Sequence, residues 1–217
     1  MKLIIANKNY SSWSLRPWLL LRVKNIPFEE ERIPLDRPDT KERILAHSPA
    51  GKMPVLIDDA TVVWDSLAIA EYLAERFPDR GLWPRDTRAR ARARSVTAEM
   101  HSGFAALRNA MPMNCRGSFP GKGFTRESSA DIARIVALWE QCRADFGAGG
   151  EFLFGEFCVA DAFFAPVVSR FTTYAAPLKD TARRYADAIS AQPAMREWFA
   201  SARAESEFIA AAEPDSA

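Results

Sequence analysis

The stretch from Ser48 to Leu56, Ser-Pro-Ala-Gly-Lys-Met-Pro-Val-Leu, constrains the fold more than any other part of the chain. It places Pro54 directly before a short apolar run that is typical of a strand. Proline has no N–H to donate to a neighbouring strand, so Pro54 must lie at the first residue or the edge of that strand. The surrounding Pro49 and Gly51 indicate an irregular loop, in which an X-Pro bond can be cis. A cis bond after Met53 would leave its N–H and C=O facing outward, where they can hold an extended peptide by strand addition.

A second informative segment begins at Val62 and reads Val-Val-Trp-Asp-Ser-Leu-Ala-Ile-Ala-Glu-Tyr-Leu. Its apolar start is typical of a strand, and the strand runs directly into a helix with Asp65 and Ser66 at the junction. The N-terminus of a helix carries partial positive charge and binds carboxylates. The sequence therefore places a peptide-binding edge and a carboxylate-binding helix end close together in one folding unit.

Together these two segments resemble the glutathione-binding half of the cytosolic glutathione transferases. The pattern of that family is N-P-x-G-x-V-P-x-L, followed by a hairpin strand and E-S-x-A-I-x-x-Y-L. Residue types, order and separation agree. Three positions differ, because Ser48 replaces the usual Asn, Met53 the usual Val and Asp65 the usual Glu. The shorter Asp65 side chain reaches less far toward the amino group of the ligand.

The resemblance implies an α+β fold. Residues 1–77 would form a thioredoxin-like βαβ-ββα domain that binds glutathione, residues 78–87 a linker, and residues 88–217 an all-helical domain. Apolar spacing in the first domain agrees, with Ser14 as the expected cap of the first helix and Pro17 in its first turn. The expected strands cover residues 3–6, 28–35, 54–57 and 61–64, and the second helix runs from residue 66 to residue 77.

Beyond the linker the sequence predicts only helices. The first long helix is expected over residues 87–109, and a second, antiparallel to it, covers residues 132–146. Cys158–Asp161 resembles the buried capping box of the family's helical domain, in which the Asp accepts the N–H of the cap residue. Beyond residue 208 the chain turns polar, so we expect it to fray.

Composition excludes several function classes. The net charge is +1, which gives no general attraction to nucleic acid or to a membrane surface. Three widely spaced cysteines and two histidines make neither a disulfide framework nor a metal site, so no metal is expected. The apolar run at the N-terminus is too short for a signal peptide or a spanning helix, and we therefore expect a cytoplasmic protein.

The loop before the first helix, residues 9–16, should hold the catalytic group. Glutathione's thiol has a pKa of about 8.5 or slightly above, so a hydroxyl that donates to the sulfur would favour the reactive thiolate. In serine-type transferases, of the zeta and phi classes, the catalytic Ser lies five residues before an Arg, and this position is Ser11. The zeta class is the nearest. Ser12 and then Tyr10 are the alternative donors, whereas Ser14 is expected to act only as a cap.

The resemblance also implies the contacts with the substrates. For glutathione, the residues expected at the site are Ser12, Trp13, Lys52, Met53, Pro54, Asp65 and Ser66. Met53 would pair its backbone with the cysteinyl part, and Asp65 and Ser66 would hold the γ-glutamyl end. The second substrate should lie between the domains, and the residues expected to line that pocket are Trp13, Phe104, Leu107, Arg108 and Met113.

Three functions fit these residues. The first is a glutathione transferase that joins the thiolate to small hydrophobic electrophiles, in a homodimer with glutathione as co-substrate. The second is a glutathione-dependent isomerase of the maleylacetoacetate type, although Trp13 stands where that class has Cys and no pair of anchors for an anionic substrate is evident. The third is a non-catalytic interaction module, which would have no need to keep Ser11, Pro54 and Asp65.

Overall fold

The computed structural model describes residues 1–214. Its N-terminal part is built on a four-stranded sheet with strands β1 (Lys2–Ile5), β2 (Glu29–Arg32), β3 (Val55–Asp58) and β4 (Thr61–Trp64). The spatial order is β2-β1-β3-β4. Strands β1 and β2 are parallel, whereas β3 is antiparallel to both β1 and β4. Strand β2 thus lies at one edge of the sheet.

Three helices accompany this sheet: α1 (Ser12–Val23), α2 (Thr40–Leu45) and α3 (Ser66–Arg76). Helix α1 connects the parallel strands and α3 follows the β3–β4 hairpin, which is the predicted βαβ-ββα order of a thioredoxin-like fold. Helix α2 was not predicted from the sequence. Among its six residues only Ile44 is buried, so it leaves almost no hydrophobic period to detect.

The remainder of the described chain is helical. Short 3-10 turns lie at Pro78–Arg80 and Ala210–Ala212. The helices are α4 (Thr87–Ser102), α5 (Ala105–Ala110), α6 (Arg126–Phe146), α7 (Val159–Thr173), α8 (Asp180–Ala191) and α9 (Pro193–Ala204). Within residues 1–214, no helix has the length and apolar character needed to cross a membrane.

Helix α7 forms the centre of the core and packs against both α1 and α4. Nearly all of its residues are buried. The side chain of Asp161 begins the helix, since it accepts the backbone N–H of Cys158 at 2.8 Å and that of Leu153 at 3.1 Å. This confirms the carboxylate half of the predicted capping box. Burial raises the pKa of Asp161 to about 6. Because α1 rests on α7, the helical part fixes the position of the loop that precedes α1.

Two predictions in the helical part are wrong. The expected helix over residues 87–109 is broken after Ser102, because Phe104 adopts a left-handed backbone conformation with φ of 60° and starts the separate helix α5. Of the residues beyond 208 that were expected to fray, 209–214 are ordered, with the Glu213 carboxylate accepting the Tyr10 hydroxyl at 2.6 Å, and 215–217 lie outside the described residues. The segment after residue 204 packs against the loop between β1 and α1, where the Glu205 carboxylate accepts the backbone N–H groups of Lys8 and Asn9 at 2.7 and 3.0 Å.

Candidate active site

The strand register brings three sequence-distant segments to one end of the sheet. Ile4, near the end of β1, pairs with Val55, the first residue of β3, and Val55 pairs in turn with Trp64, the last residue of β4. The loop after β1, the loop before β3 and the junction between β4 and α3 therefore adjoin one another. The two motifs from the sequence, together with the loop that carries Ser11, meet at this end as expected.

Ser11 is the N-cap of α1. Its Oγ accepts the backbone N–H of Ser14 at 3.2 Å and donates to the Ser14 Oγ at 2.8 Å. The Ser14 Oγ also accepts the N–H of Ala6 at 3.0 Å. The expectation that Ser14 caps the helix is thus wrong, because α1 begins two residues earlier. Pro17 consequently lies in the second turn of α1 rather than the first.

Tyr10 is held by the C-terminal segment. Its hydroxyl donates to the Glu213 carboxylate at 2.6 Å and accepts from the Arg116 guanidinium at 2.8 Å. Burial and the hydrogen bond to Glu213 raise the pKa of Tyr10. A hydroxyl that already donates to a carboxylate is a poor donor to a sulfur atom, so this arrangement weakens the case for Tyr10.

Asp65 and Ser66 lie at the start of α3 as predicted. Asp65 is the N-cap, with φ of 75°, and its Oδ1 accepts the N–H groups of Leu67 and Ala68 at 2.8 and 3.3 Å. Its exposed carboxylate remains accessible to a ligand. Ser66, in contrast, has no exposed surface, and its hydroxyl accepts from the Arg16 guanidinium at 3.3 Å. A ligand could reach the Ser66 hydroxyl only if neighbouring side chains moved.

The Met53–Pro54 peptide bond is cis, as the sequence suggested. Pro54 is buried and Met53 is half-buried, packed against the small apolar cluster of Ile4 and Val55. Strand β3 begins only at Val55, so Met53 precedes the paired part of the strand. Lys52 beside it is exposed to solvent.

Arg16 and His101 also lie at this site, and neither was predicted to have a role there. Arg16 is buried, and its guanidinium carbon lies 4.2 Å from the centre of the Trp13 ring. The Nη1 nitrogen of Arg16 lies 3.4 Å from the Nδ1 of His101, and the Nε2 of His101 is 3.3 Å from the Asp65 carboxylate. Burial lowers the pKa of Arg16 well below its ordinary value, and the charges of Arg108 and Arg170 lower it further.

Comparison with known proteins agrees with this geometry. Residues 10–76 match the family model described as the N-terminal domain of glutathione S-transferase. This part of the chain is therefore similar to that domain. The chain is also 37% identical over 99 residues to a probable maleylacetoacetate isomerase of Caenorhabditis elegans, a match that spans 46% of each chain, or about half of that relative's length.

A second relative matches over more of the chain. The maleylacetoacetate isomerase of Pseudomonas aeruginosa is 29% identical over 209 residues, which cover 91% of this chain and 94% of the relative. Among solved structures, a glutathione transferase homologue from Burkholderia with bound glutathione superposes with a TM-score of 0.71. It is 22% identical, and the match covers 94% of this chain and 98% of that chain, so it shows the fold.

The residues expected to line the second-substrate pocket are mostly buried. Trp13 is 37% exposed, and its ring contacts the guanidinium groups of both Arg16 and Arg108, the latter at 4.8 Å. Leu107 and Met113 have almost no exposed surface and lie in the hydrophobic core, together with Phe104, which is 8% exposed. In residues 1–214 no group of His, Cys, Asp and Glu side chains is suited to hold a metal ion.

Proposed function

We propose that the protein is a glutathione S-transferase in which Ser11 activates the thiol of glutathione for attack on small hydrophobic electrophiles. The observation that carries the proposal is the position of Ser11, which caps α1 at the sheet end where the cis Met53–Pro54 bond and the start of α3 also lie. Ser11 is thus a hydroxyl donor next to a peptide-binding edge. The partial positive charge at the start of α1 adds to the stabilisation of a thiolate.

The hydroxyl pair of Ser11 and Ser14 supplies the donor. Either hydroxyl of such a pair can donate to the other, because each can rotate about its C–O bond. When the Ser14 hydroxyl donates to the Ser11 Oγ, the Ser11 hydrogen is free to donate to the sulfur of glutathione. The thiol proton leaves to solvent, and Ser11 acts only as a donor, since within residues 1–214 no histidine contacts it to make it a nucleophile.

The remaining contacts follow the order of the glutathione chain. The backbone of Met53 pairs with the cysteinyl part, in the orientation that Pro54 fixes, and Ser12 and Trp13 lie beside the sulfur at the start of α1. The exposed Asp65 carboxylate accepts the ammonium group of the γ-glutamyl end, and Ser66 lies behind it. Lys52 meets the glycyl carboxylate. Each of these assignments uses a residue at the sheet end that the register defines.

The first test is a calorimetric titration with glutathione, followed by an assay with a neutral aryl halide. Saturable binding together with glutathione-dependent turnover supports the transferase. Binding without turnover on any electrophile favours the interaction module with a retained ligand site. No binding at all contradicts the proposed function.

A second candidate function, glutathione-dependent isomerisation of a carboxylated substrate such as maleylacetoacetate, is favoured by three arginines. Arg108 lowers the pKa of both Arg16 and Arg170, and Arg170 lowers that of Arg16, so the three positive charges lie within reach of one another. An anionic substrate would relieve this repulsion. Maleylacetoacetate isomerases among the relatives add to its support.

Arg108→Met discriminates between the two candidates, and Arg134→Met is the matched control. Arg134 is exposed and pairs with Glu99 on the surface. If the arginines receive an anionic substrate, Arg108→Met should raise KM for the carboxylated substrate while leaving KM for the aryl halide nearly unchanged. Equal losses with both substrates would argue against an anion site at Arg108.

We further infer that the protein is a cytoplasmic homodimer. The outer edge of the sheet supports the dimer, because Val62 and Trp64 of β4 are 39% and 44% exposed and would be buried by a second copy. The arginine-rich start of α4 would lie near the same boundary. Light scattering should give about twice the chain mass of 24.3 kDa. A mass of one chain at micromolar concentration would contradict the dimer.

A further inference from the structure

His101 is one of two histidines in the chain, and the chemistry proposed above does not use it. It lies near the end of α4 and is half-buried. Its imidazole connects two residues of the glutathione site, because Nε2 is 3.3 Å from the Asp65 carboxylate and Nδ1 is 3.4 Å from the Arg16 guanidinium. Arg16 in turn donates to Ser66. The helical part of the protein thus contacts both residues at the start of α3 through this group of side chains.

The contacts of His101 define its tautomer. A guanidinium group can only donate hydrogen bonds, so the Nδ1 that faces Arg16 must be the unprotonated acceptor. The hydrogen of the neutral ring then lies on Nε2, the nitrogen that is 3.3 Å from the Asp65 carboxylate. This arrangement therefore requires His101 to be neutral. A proton on Nδ1 would turn an acceptor into a donor that faces another donor.

Every charged group that faces His101 comes from a different element. Arg16 lies on α1, Asp65 precedes α3 and Arg108 lies on α5, while the rings of Trp13 and Phe163 pack against the imidazole at 5.3 and 6.1 Å. Burial lowers the pKa of His101 below its ordinary value of 6.5, and the two arginines lower it further although Asp65 opposes them. His101 is accordingly neutral at neutral pH.

We propose that neutral His101 is a positioning residue of the glutathione site, which orients the Asp65 carboxylate toward the ammonium group of glutathione and holds Arg16 against Ser66. The proposal rests on the proposed function. Protonation of His101 would act at both contacts. The imidazolium would pair with Asp65 and compete with the ammonium group, and it would repel Arg16. Acidification should therefore weaken glutathione binding.

The test is calorimetric titration with glutathione from about pH 7.5 to about pH 5, the range in which histidine changes charge. The amine and carboxylates of glutathione keep their charge over this range. The parent protein should lose roughly fivefold or more in affinity, the scale of one like-charge contact at a partly buried site. His101→Gln keeps a neutral N–H donor but cannot titrate, so its affinity should change little between the upper and the lower pH.

His47→Gln is the matched control, because His47 is the other histidine and its Nε2 pairs with Glu31 at 3.3 Å, away from Asp65. The affinity of His47→Gln for glutathione should depend on pH as that of the parent does. If His101→Gln fails to fold, as judged by its melting temperature, His101→Asn provides the same non-titrating comparison. If a folded variant loses affinity with acid as the parent does, the proposal is overturned.

Proton NMR of the His101 ring separates this inference from the proposed function, since it needs no glutathione. Asp65→Asn should lower the His101 pKa further, because the Asp65 charge raises it, and an unchanged pKa would overturn the pairing itself. If the parent protein binds no glutathione at neutral pH, the proposed function fails and the positioning role fails with it. Binding with an unchanged pH profile in His101→Gln overturns the positioning role alone.

Discussion

The Oγ atoms of Ser11 and Ser14 lie 2.8 Å apart at the start of α1, and the Ser14 Oγ also accepts the N–H of Ala6. The first residue after β1 is thereby tied to the first turn of the helix. Ser14 is fully buried, so it cannot touch a ligand itself. Its hydroxyl can instead donate to the Ser11 Oγ, which leaves the Ser11 hydrogen directed to a ligand.

Ser14→Ala should therefore affect both stability and chemistry. The buried N–H of Ala6 loses its acceptor, which should cost about 1–3 kcal/mol in the free energy of unfolding. The pKa of bound glutathione should rise, but by less than in Ser11→Ala, because the donor itself is retained. Denaturant unfolding measures the first effect and the ultraviolet absorbance of the thiolate measures the second. A stable variant with an unchanged thiol pKa would show that the hydroxyl pair has no role.

Asp65→Ala should weaken both glutathione binding and the capping of α3, because the same carboxylate serves both. Glutathione binding should weaken by about 1.5–3 kcal/mol, the usual scale for a hydrogen bond to a charged group. Loss of the α3 cap should cost about 1 kcal/mol of stability. Asp65→Asn separates the two, since the amide oxygen can still cap the helix but carries no charge for the ammonium group. If calorimetry shows that Asp65→Asn binds glutathione like the parent, Asp65 does not hold that group.

Glu205→Ala should show that the segment after α9 supports the β1–α1 loop. Its carboxylate accepts the N–H groups of Lys8 and Asn9, and both would lose their partner. We expect a loss of about 1–3 kcal/mol in unfolding free energy. Glu197→Ala is the control, because it removes only an exposed ion pair with Arg22, worth at most about 1 kcal/mol. Equal effects of the two variants would mean that the contacts of Glu205 contribute nothing specific.

Asp161 should make stability depend on pH. Its pKa is about 6 in the folded protein and 3.8 ordinarily, so between these values the folded state holds a proton that the unfolded state releases. Its contribution to the free energy of unfolding therefore falls as pH rises through this window, by up to about 3 kcal/mol. Asp161→Asn cannot titrate and should lack this decline. Urea unfolding of both proteins at several pH values measures this dependence. If the free energy of unfolding changed with pH equally in the parent and in Asp161→Asn, the result would contradict the raised pKa.

The fold was largely predictable, because the signals that define it are local. Pro54 before an apolar run, the hairpin and the helical periods of α3 and α6 each predict one element. The break after Ser102 had a local signal that we missed, since Gly103 is the C-cap of α4. The order of the polar segment after residue 204 had no local signal, because Glu205 contacts the backbone of Lys8 and Asn9, which lies far away along the chain.

The candidate site was predictable where a motif carries it and not where packing creates it. Ser11 and Asp65 were found from their motifs, and the register confirms that their segments meet. The burial of Leu107 and Met113 could not be read from their apolar character, which suits a pocket wall and a core equally well. His101 gave no signal, because its role comes from Asp65 and Arg16, two residues on other elements.

The central claim is that Ser11 donates the hydrogen bond that stabilises the glutathione thiolate. It is tested most directly by the pKa of bound glutathione, read from thiolate absorbance as a function of pH, in the parent protein and in Ser11→Ala. We predict a rise of roughly one pKa unit or more, equivalent to about 1.4 kcal/mol, and at least about a tenfold loss of turnover at neutral pH that partly recovers at higher pH. An unchanged pKa and rate in Ser11→Ala, with losses in Ser12→Ala or Tyr10→Phe instead, would contradict the claim.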